Sequence, residues 1–217
     1  MSPSTRAISQ EDKEQRRNKI LNAAETLWQE DSHEIASMSS VAAAAGVAKG
    51  TLYLYFPSKE ELFLSLHERQ LSAFFEMIIE RARQSESEPM EIQDMYKVVR
   101  RFLEETPVFL PLTTLVYGLL ERQIPAETNF VYKERILNHL NKAVDALKPH
   151  FPTITAQLMM QSYAMIIGLW QLLRPTPLKE LIKDRLQDVA CTDDYLIALE
   201  SAINALWQGT LMQEPKS

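Results

Sequence analysis

Cysteine and glycine are nearly missing from this chain: one cysteine and five glycines in 217 residues. The lone Cys191 excludes an internal disulfide framework and any metal site built from several thiolates. That usage fits a reducing compartment, with Cys191 itself a small packed hydrophobe. No segment alternates apolar and polar residues as a half-buried strand does, so the chain reads as all-α. No apolar run is long enough to span a bilayer. The longest candidate, Leu158 to Leu173, has 16 residues and is interrupted by Gln161, Ser162 and Gln171. The start, MSPSTRAISQEDKEQ, lacks the basic opening and apolar centre of a signal peptide. Residues 1–10 are expected to be a polar, mobile lead-in, and the protein is expected to be cytoplasmic, without a membrane partner.

Catalytic motifs are missing too. His33, His67, His139 and His150 are scattered, and there is no H-E-x-x-H, no glycine-rich phosphate loop and no nucleophile elbow. The expectation is no catalytic residue, no metal and no cofactor. A net positive charge is also lacking. Residues 1 to 60 carry seven Lys/Arg against eight Asp/Glu, and residues 61 to 217 hold −5 of the total −6. Such a chain does not coat nucleic acid indiscriminately, so an anionic partner has to be met locally by the first part.

What the chain does have is 46% apolar and 24% charged residues, enough for an ordinary core, arranged with helical spacing. A first helix is expected over about Glu11 to Glu30, with Ile20, Leu21, Ala24, Leu27 and Trp28 on one stripe. Ser37 is a good N-cap for a short second helix, Met38 to Ala45, and Gly46 can take the left-handed conformation that stops it. A third helix covers Lys49 to Phe56. Pro57 blocks its continuation, and Ser58 with Glu61 makes a capping box that starts a long fourth helix running to about Gln84. Beyond SESEP the pattern stays helical. Pro107, Pro111, Pro125, Pro149, Pro152, Pro175 and Pro177 divide it into roughly five segments.

Helices two and three, each about eight residues long and joined by a short turn containing Gly46, have the proportions of a helix-turn-helix. Alanines in SSVAAAAGV allow the close crossing, Val41 and Val47 plug the turn, and Leu52 and Phe56 at i and i+4 face inward. Lys49, Gly50, Thr51, Tyr53 and Tyr55 are left outside. Exposed tyrosines suit a sugar-phosphate backbone, Lys49 and Thr51 stand where base edges would be met, and Gly50 permits close backbone approach. Lys59 adds a cation at a helix start.

The stretch MSSVAAAAGVAKGTLYLYFPSKEELF resembles the DNA-binding signature of the TetR family of one-component transcriptional regulators, and RRNKILNAAETLWQED resembles that family's first helix. Together they cover about residues 16 to 63. The resemblance implies a three-helix DNA-binding domain over residues 11–57 and a larger helical domain over 58–217 that binds a small molecule and dimerises. It also implies that Ser37, Lys49, Gly50, Thr51, Tyr53, Tyr55 and Lys59 meet double-stranded operator DNA. Two positions depart from the pattern. Ala48 replaces the usual hydroxyl cap of the recognition helix, and Leu54 replaces a polar or aromatic residue, which leaves it to touch a thymine methyl or to pack.

In the second domain, an unknown effector is expected to be lined by aromatic and sulfur-bearing residues: Tyr96, Phe109, Tyr117, Phe130, Met159, Tyr163 and Trp170, with Gln123 and Arg122 as polar groups near Tyr117. The homodimer is expected through two helices, about Thr153 to Arg174 and Asp193 to Gln208. Ala164 and Gly168 on the first, and Ala198, Ala202 and Ala205 on the second, allow close approach. The rival readings are a sequence-independent architectural DNA-binding protein, which the acidic bulk counts against, and a helical enzyme, for which no motif speaks.

Overall fold

The structure, a computed structural model, describes residues 10–32, 34–85, 89–174 and 195–211. His33, Pro175, Pro177, Cys191, Asp193 and nearly all of the lead-in lie outside the described residues. Among those described there are nine α-helices, one short 3-10 turn and no strand. They are α1 Gln10–Glu30, α2 Met38–Ala44, α3 Lys49–Tyr55, α4 Lys59–Gln84, α5 Ile92–Glu105, α6 Phe109–Gly118, the 3-10 turn Leu120–Arg122, α7 Ala126–Leu147, α8 Ala156–Leu173 and α9 Tyr195–Leu211. They form two compact units. One comprises the described residues up to Arg69 with Leu115–Tyr132, the other Gln70–Thr114 with the described residues from Lys133 onward.

In the first unit, α1 buries Ile20, Leu21, Ala24 and Trp28 of the expected stripe, with Leu27 half-buried and Ala23 buried beside them. Trp28 meets Phe63 of α4 edge-on at 5.9 Å between ring centroids. Arg69 of α4 reaches back to α1, donating to Asn22 Oδ1 and pairing with Glu25 Oε2, both at 2.7 Å. Ser37 caps α2 by accepting the Ser40 N–H at 3.1 Å. At the other end Gly46 has φ +60°. The Gly46 N–H returns to the Ala43 carbonyl and the Val47 N–H to the Ala42 carbonyl, a double closure that a left-handed residue makes possible. On α3, Leu52 and Phe56 are buried, worth about 1.5–3 kcal/mol each relative to exposure. Ser58 starts α4, accepting the Glu61 N–H at 3.1 Å.

The second unit is built around an aromatic chain. Phe74 lies 4.9 Å from Phe102, which lies 4.9 Å from Phe109. At its other end α8 and α9 pack along each other. Trp207 Nε1 donates to Ser162 Oγ at 2.8 Å, and Ser162 Oγ donates to the Leu158 carbonyl at 2.8 Å. Tyr195 donates its hydroxyl to the Ile166 carbonyl at 3.0 Å. The polar atoms of Trp207, Ser162 and Tyr195 thus each have a partner in the adjacent turn or helix, as a packed core requires.

Pro111 does not separate two segments as its residue type suggests. It is the third residue of α6. The first-turn N–H groups of a helix have no intrahelical partner, so proline costs nothing there.

Candidate nucleic-acid interface

The short helix α3 is a ridge with one face in the core and the rest in solvent. Leu52 is fully buried and Phe56 2% exposed, while Lys49 and Gly50 are exposed and Tyr53 is 43% exposed. Thr51 and Tyr55 are half-buried. Leu54 is 85% exposed, so of its two sequence-level options packing is excluded. Ala48, at the N-cap of α3, makes no side-chain cap bond, which leaves the helix start without the hydroxyl its position favours.

Two open clefts flank this ridge. One, of about 460 Å³, is lined among others by Ser37, Lys49, Tyr53, Ser58 and Lys59, bringing together four of the seven sequence-derived positions. The second, of about 730 Å³, has Thr51 and Ala48 on one side and Arg16 and Lys19 of α1 on the other. Carboxylates are present in both, Glu34 and Glu60 in the first and Asp12 in the second. The amine of Lys19 stands 3.6 Å from where a Cβ on Gly46 would lie, so it is seated against the turn itself. The sequence reading missed Arg16 and Lys19. Their signal is the basic run RRNK with Arg16 and Lys19 three apart on one helix face, but nothing in that spacing says the face abuts α3.

Gly50 lies in open space: a Cβ built there meets no atom within 4 Å. Packing within the chain therefore does not demand a glycine at this place. Of the remaining positions, Tyr55 lines neither cleft and sits half-buried at the end of α3.

The residues expected around an effector are not gathered in one place. Tyr96, Phe109 and Met159 are buried in the core of the second unit, with Tyr163 and Trp170 packed partly against it. The Tyr96 hydroxyl donates to the Leu196 carbonyl at 3.0 Å, and the Arg174 guanidinium stacks 5.1 Å from the Trp170 ring centroid. Tyr117, Gln123 and Phe130 fall in the first unit, where Gln123 is exposed, Phe130 is 65% exposed and Tyr117 is 40% exposed. Beside Tyr117 lies His67, fully buried, its Nδ1 2.8 Å from the Tyr132 hydroxyl and its ring edge-on to Tyr117. Burial lowers the His67 pKa to about 3, so the ring is neutral, and burial likewise raises that of the Tyr132 hydroxyl.

On α8 and α9, Ala164, Gly168 and Ala205 are exposed and Ala198 and Ala202 half-buried. Among the described residues Gly168 too has no atom within 4 Å of a built Cβ, so none of the described helices is seated on it. Around these small residues Met160, Leu172 and Ile197 are more than half exposed. Among the described residues no group of three acids, histidines or cysteines converges as a metal site, and no helix is long and apolar enough to cross a membrane.

Two short helices closed by a left-handed glycine, the second presenting a polar ridge, define a helix-turn-helix regulator. The chain belongs to the TetR family. The family model described as bacterial regulatory proteins, tetR family, matches residues 20–66, and the one described as the tetracyclin repressor-like C-terminal domain matches residues 68–214. The HTH-type transcriptional regulator YhgD of Bacillus subtilis is 28% identical over 185 residues, which cover 79% of this chain and 93% of that protein. The HTH-type transcriptional repressor KstR of Rhodococcus jostii is 31% identical over 128 residues, spanning 58% of each chain. Among solved structures, a TetR-family regulator from Mesorhizobium loti shares the fold with a TM-score of 0.56 at 16% identity, over 90% of this chain and 96% of that one.

Proposed function

We propose that this transcriptional regulator is a repressor that binds a near-palindromic operator as a homodimer and leaves it when a small molecule occupies the larger helical part. The observation that carries the DNA reading is the division of α3: Leu52 and Phe56 are spent on the core, while Lys49, Thr51 and Tyr53 are turned outward into clefts that hold further cations. In this reading residues 11–57 are the DNA-binding part and 58–217 the effector-binding and dimerisation part. Thr51, Lys49 and Leu54 meet base edges, Leu54 against a thymine methyl. Tyr53, Tyr55, Lys59, Ser37, Arg16 and Lys19 meet sugar-phosphate, and Gly50 lets the backbone come close.

Two protomers place two such ridges about 34 to 36 Å apart or further, matching half-sites one helical turn apart or more. Ala164, Gly168, Ala198, Ala202 and Ala205 form the centre of the dimer contact in this reading, supported by the exposed small and apolar side chains of α8 and α9. Tyr96, Phe109, Met159, Tyr163 and Trp170 remain the lining of an interior effector site, and Tyr117, Gln123 and Phe130 a separate group. Selection of bound fragments from random DNA followed by footprinting tests the operator reading. The expected result is protection of two inverted half-sites, and full-affinity binding to a single half-site refutes it.

A further inference from the structure

In the second unit the C-terminal halves of α4 and α7 leave an open cleft of about 990 Å³ between them. Glu76, Ile79 and Arg83 come from one face of α4, and Lys142, Asp145 and Ala146 from one face of α7. The floor is apolar: Ile79 and Ala82 are buried and Ala146 half-buried, with Pro89 and Pro149 alongside. One wall is fixed by His150. Its Nε2 lies 2.9 Å from the Ala82 carbonyl, and its Nδ1 accepts the Met90 N–H at 3.4 Å, so both ring nitrogens are engaged and the cleft is held in shape.

Around this floor stand two carboxylates, Glu76 and Asp145, and two cations, Arg83 and Lys142. Asp145 is taken by Lys148 at 2.8 Å, and Glu76 Oε1 stands 3.9 Å from His139 Nδ1. Arg81, on a different side of α4, is taken by Asp94 at 3.2 Å. Arg83 and Lys142, both exposed at the cleft, have no ion pair or hydrogen bond among the described residues. Two cations with no partner among the described residues, beside an apolar, preformed floor, match a ligand with an anionic head and an apolar body.

We propose that the α4–α7 cleft binds a small amphipathic anion, a carboxylate or phosphate carried on a short apolar chain, with the head between Arg83 and Lys142 and the chain on Ile79, Ala82 and Ala146. The site is distinct from the interior residues Tyr96, Phe109 and Met159. Any effect of this ligand on the operator rests on the effector-release reading above.

Calorimetric titration of the full chain with octanoate and with octyl phosphate, against octanol and inorganic phosphate, tests the site. Octanoate or octyl phosphate is expected to bind at least tenfold more tightly than either control, and whichever is tighter names the head group. The double variant Arg83→Gln/Lys142→Gln, whose side chains are exposed, is expected to keep its melting temperature and lose at least tenfold in affinity. Ala146→Trp, which fills the floor, is expected to lose binding as well. Equal binding of octanol, unchanged affinity in the double variant, or no binding by either anion overturns the proposal. Operator affinity is then measured with the cleft saturated. Release in the wild type but not in the double variant makes the cleft a regulatory site. Retention of the operator by the saturated wild type refutes regulation through the cleft while leaving the binding site in place.

Discussion

Replacing Lys19 by Gln removes a cation from the α1 side of the recognition ridge, and Lys59→Gln removes one from the other side. In the proposed complex each protomer brings Arg16 and Lys19 to one strand and Lys59 to the other, so a dimer neutralises about six phosphates. Each phosphate contact contributes about 0.9 to the slope of log K against log salt, which gives a slope of about −5 and a loss of about a thousandfold between 50 and 200 mM salt. Either single variant removes two contacts per dimer. Its slope is expected near −4, with a loss over the same range of about a hundredfold. Fluorescence anisotropy on a labelled operator at four or five salt concentrations reads both numbers. Thr51→Val is the control, since a base contact changes the ratio of operator to random DNA without moving the slope. If Lys59→Gln flattens the slope and Lys19→Gln does not, the α1 cleft does not reach a strand. If neither does, the clefts that flank α3 are not the DNA face.

Three further outcomes are expected. The pKa of His67 is about 3 in the folded protein against 6.5 when unfolded, so below pH 6.5 the unfolded chain takes up a proton that the folded one refuses. Its contribution is therefore fully favourable above pH 6.5 and lost as pH falls, by about 2 kcal/mol between pH 6.5 and 5. Denaturant titration of His67→Gln should lack that part of the pH dependence, and an identical profile would refute the burial argument. Ser37→Ala removes the side-chain cap of α2 and is expected to cost about 1 kcal/mol, read as a lower melting temperature of the full chain, with no loss predicting that Ser40 or water takes over the cap. Ala202→Glu places a charge in the proposed α8–α9 contact between protomers and is expected to sediment as a monomer with little operator affinity, whereas an intact dimer would place the contact elsewhere.

The first unit was largely legible because its rules are local. Ser37 caps, Gly46 turns left-handed, and Leu52 and Phe56 face inward for reasons that lie within four residues of each. The helix ends differ by a residue or so, with α3 closing at Tyr55 and Phe56 as its C-cap. What escaped was tertiary. His67 and Tyr132 are 65 residues apart, and nothing in either neighbourhood marks the other. Tyr117 and Phe130 were grouped with Tyr96 and Phe109 by residue type, and Gln123 by its spacing from Tyr117. An aromatic ring fits any apolar surface, and type does not tell which surface it will be. Arg16 and Lys19 were read as part of an amphipathic helix, which they are. Their proximity to Thr51 depends on how α1 crosses the turn.

Three glycines show where such reasoning must look beyond the chain. Gly46 is explained from inside, because its φ of +60° strains any residue with a Cβ. Gly168 lies in the interior of α8, where glycine weakens a helix by about 1 kcal/mol relative to alanine, and Gly50 is the second residue of α3. Neither has an atom of the described residues within 4 Å of a built Cβ, its own helix backbone aside. On α3 the proposed partner is the DNA backbone beside Lys49 and Thr51. On α8 it is a second copy of the chain, across a face already carrying Ala164, Met160 and Leu172. Gly209 of α9 is equally open, so an open glycine alone does not mark a docking surface, and on α3 and α8 the proposal rests on the exposed charge and apolar area beside it.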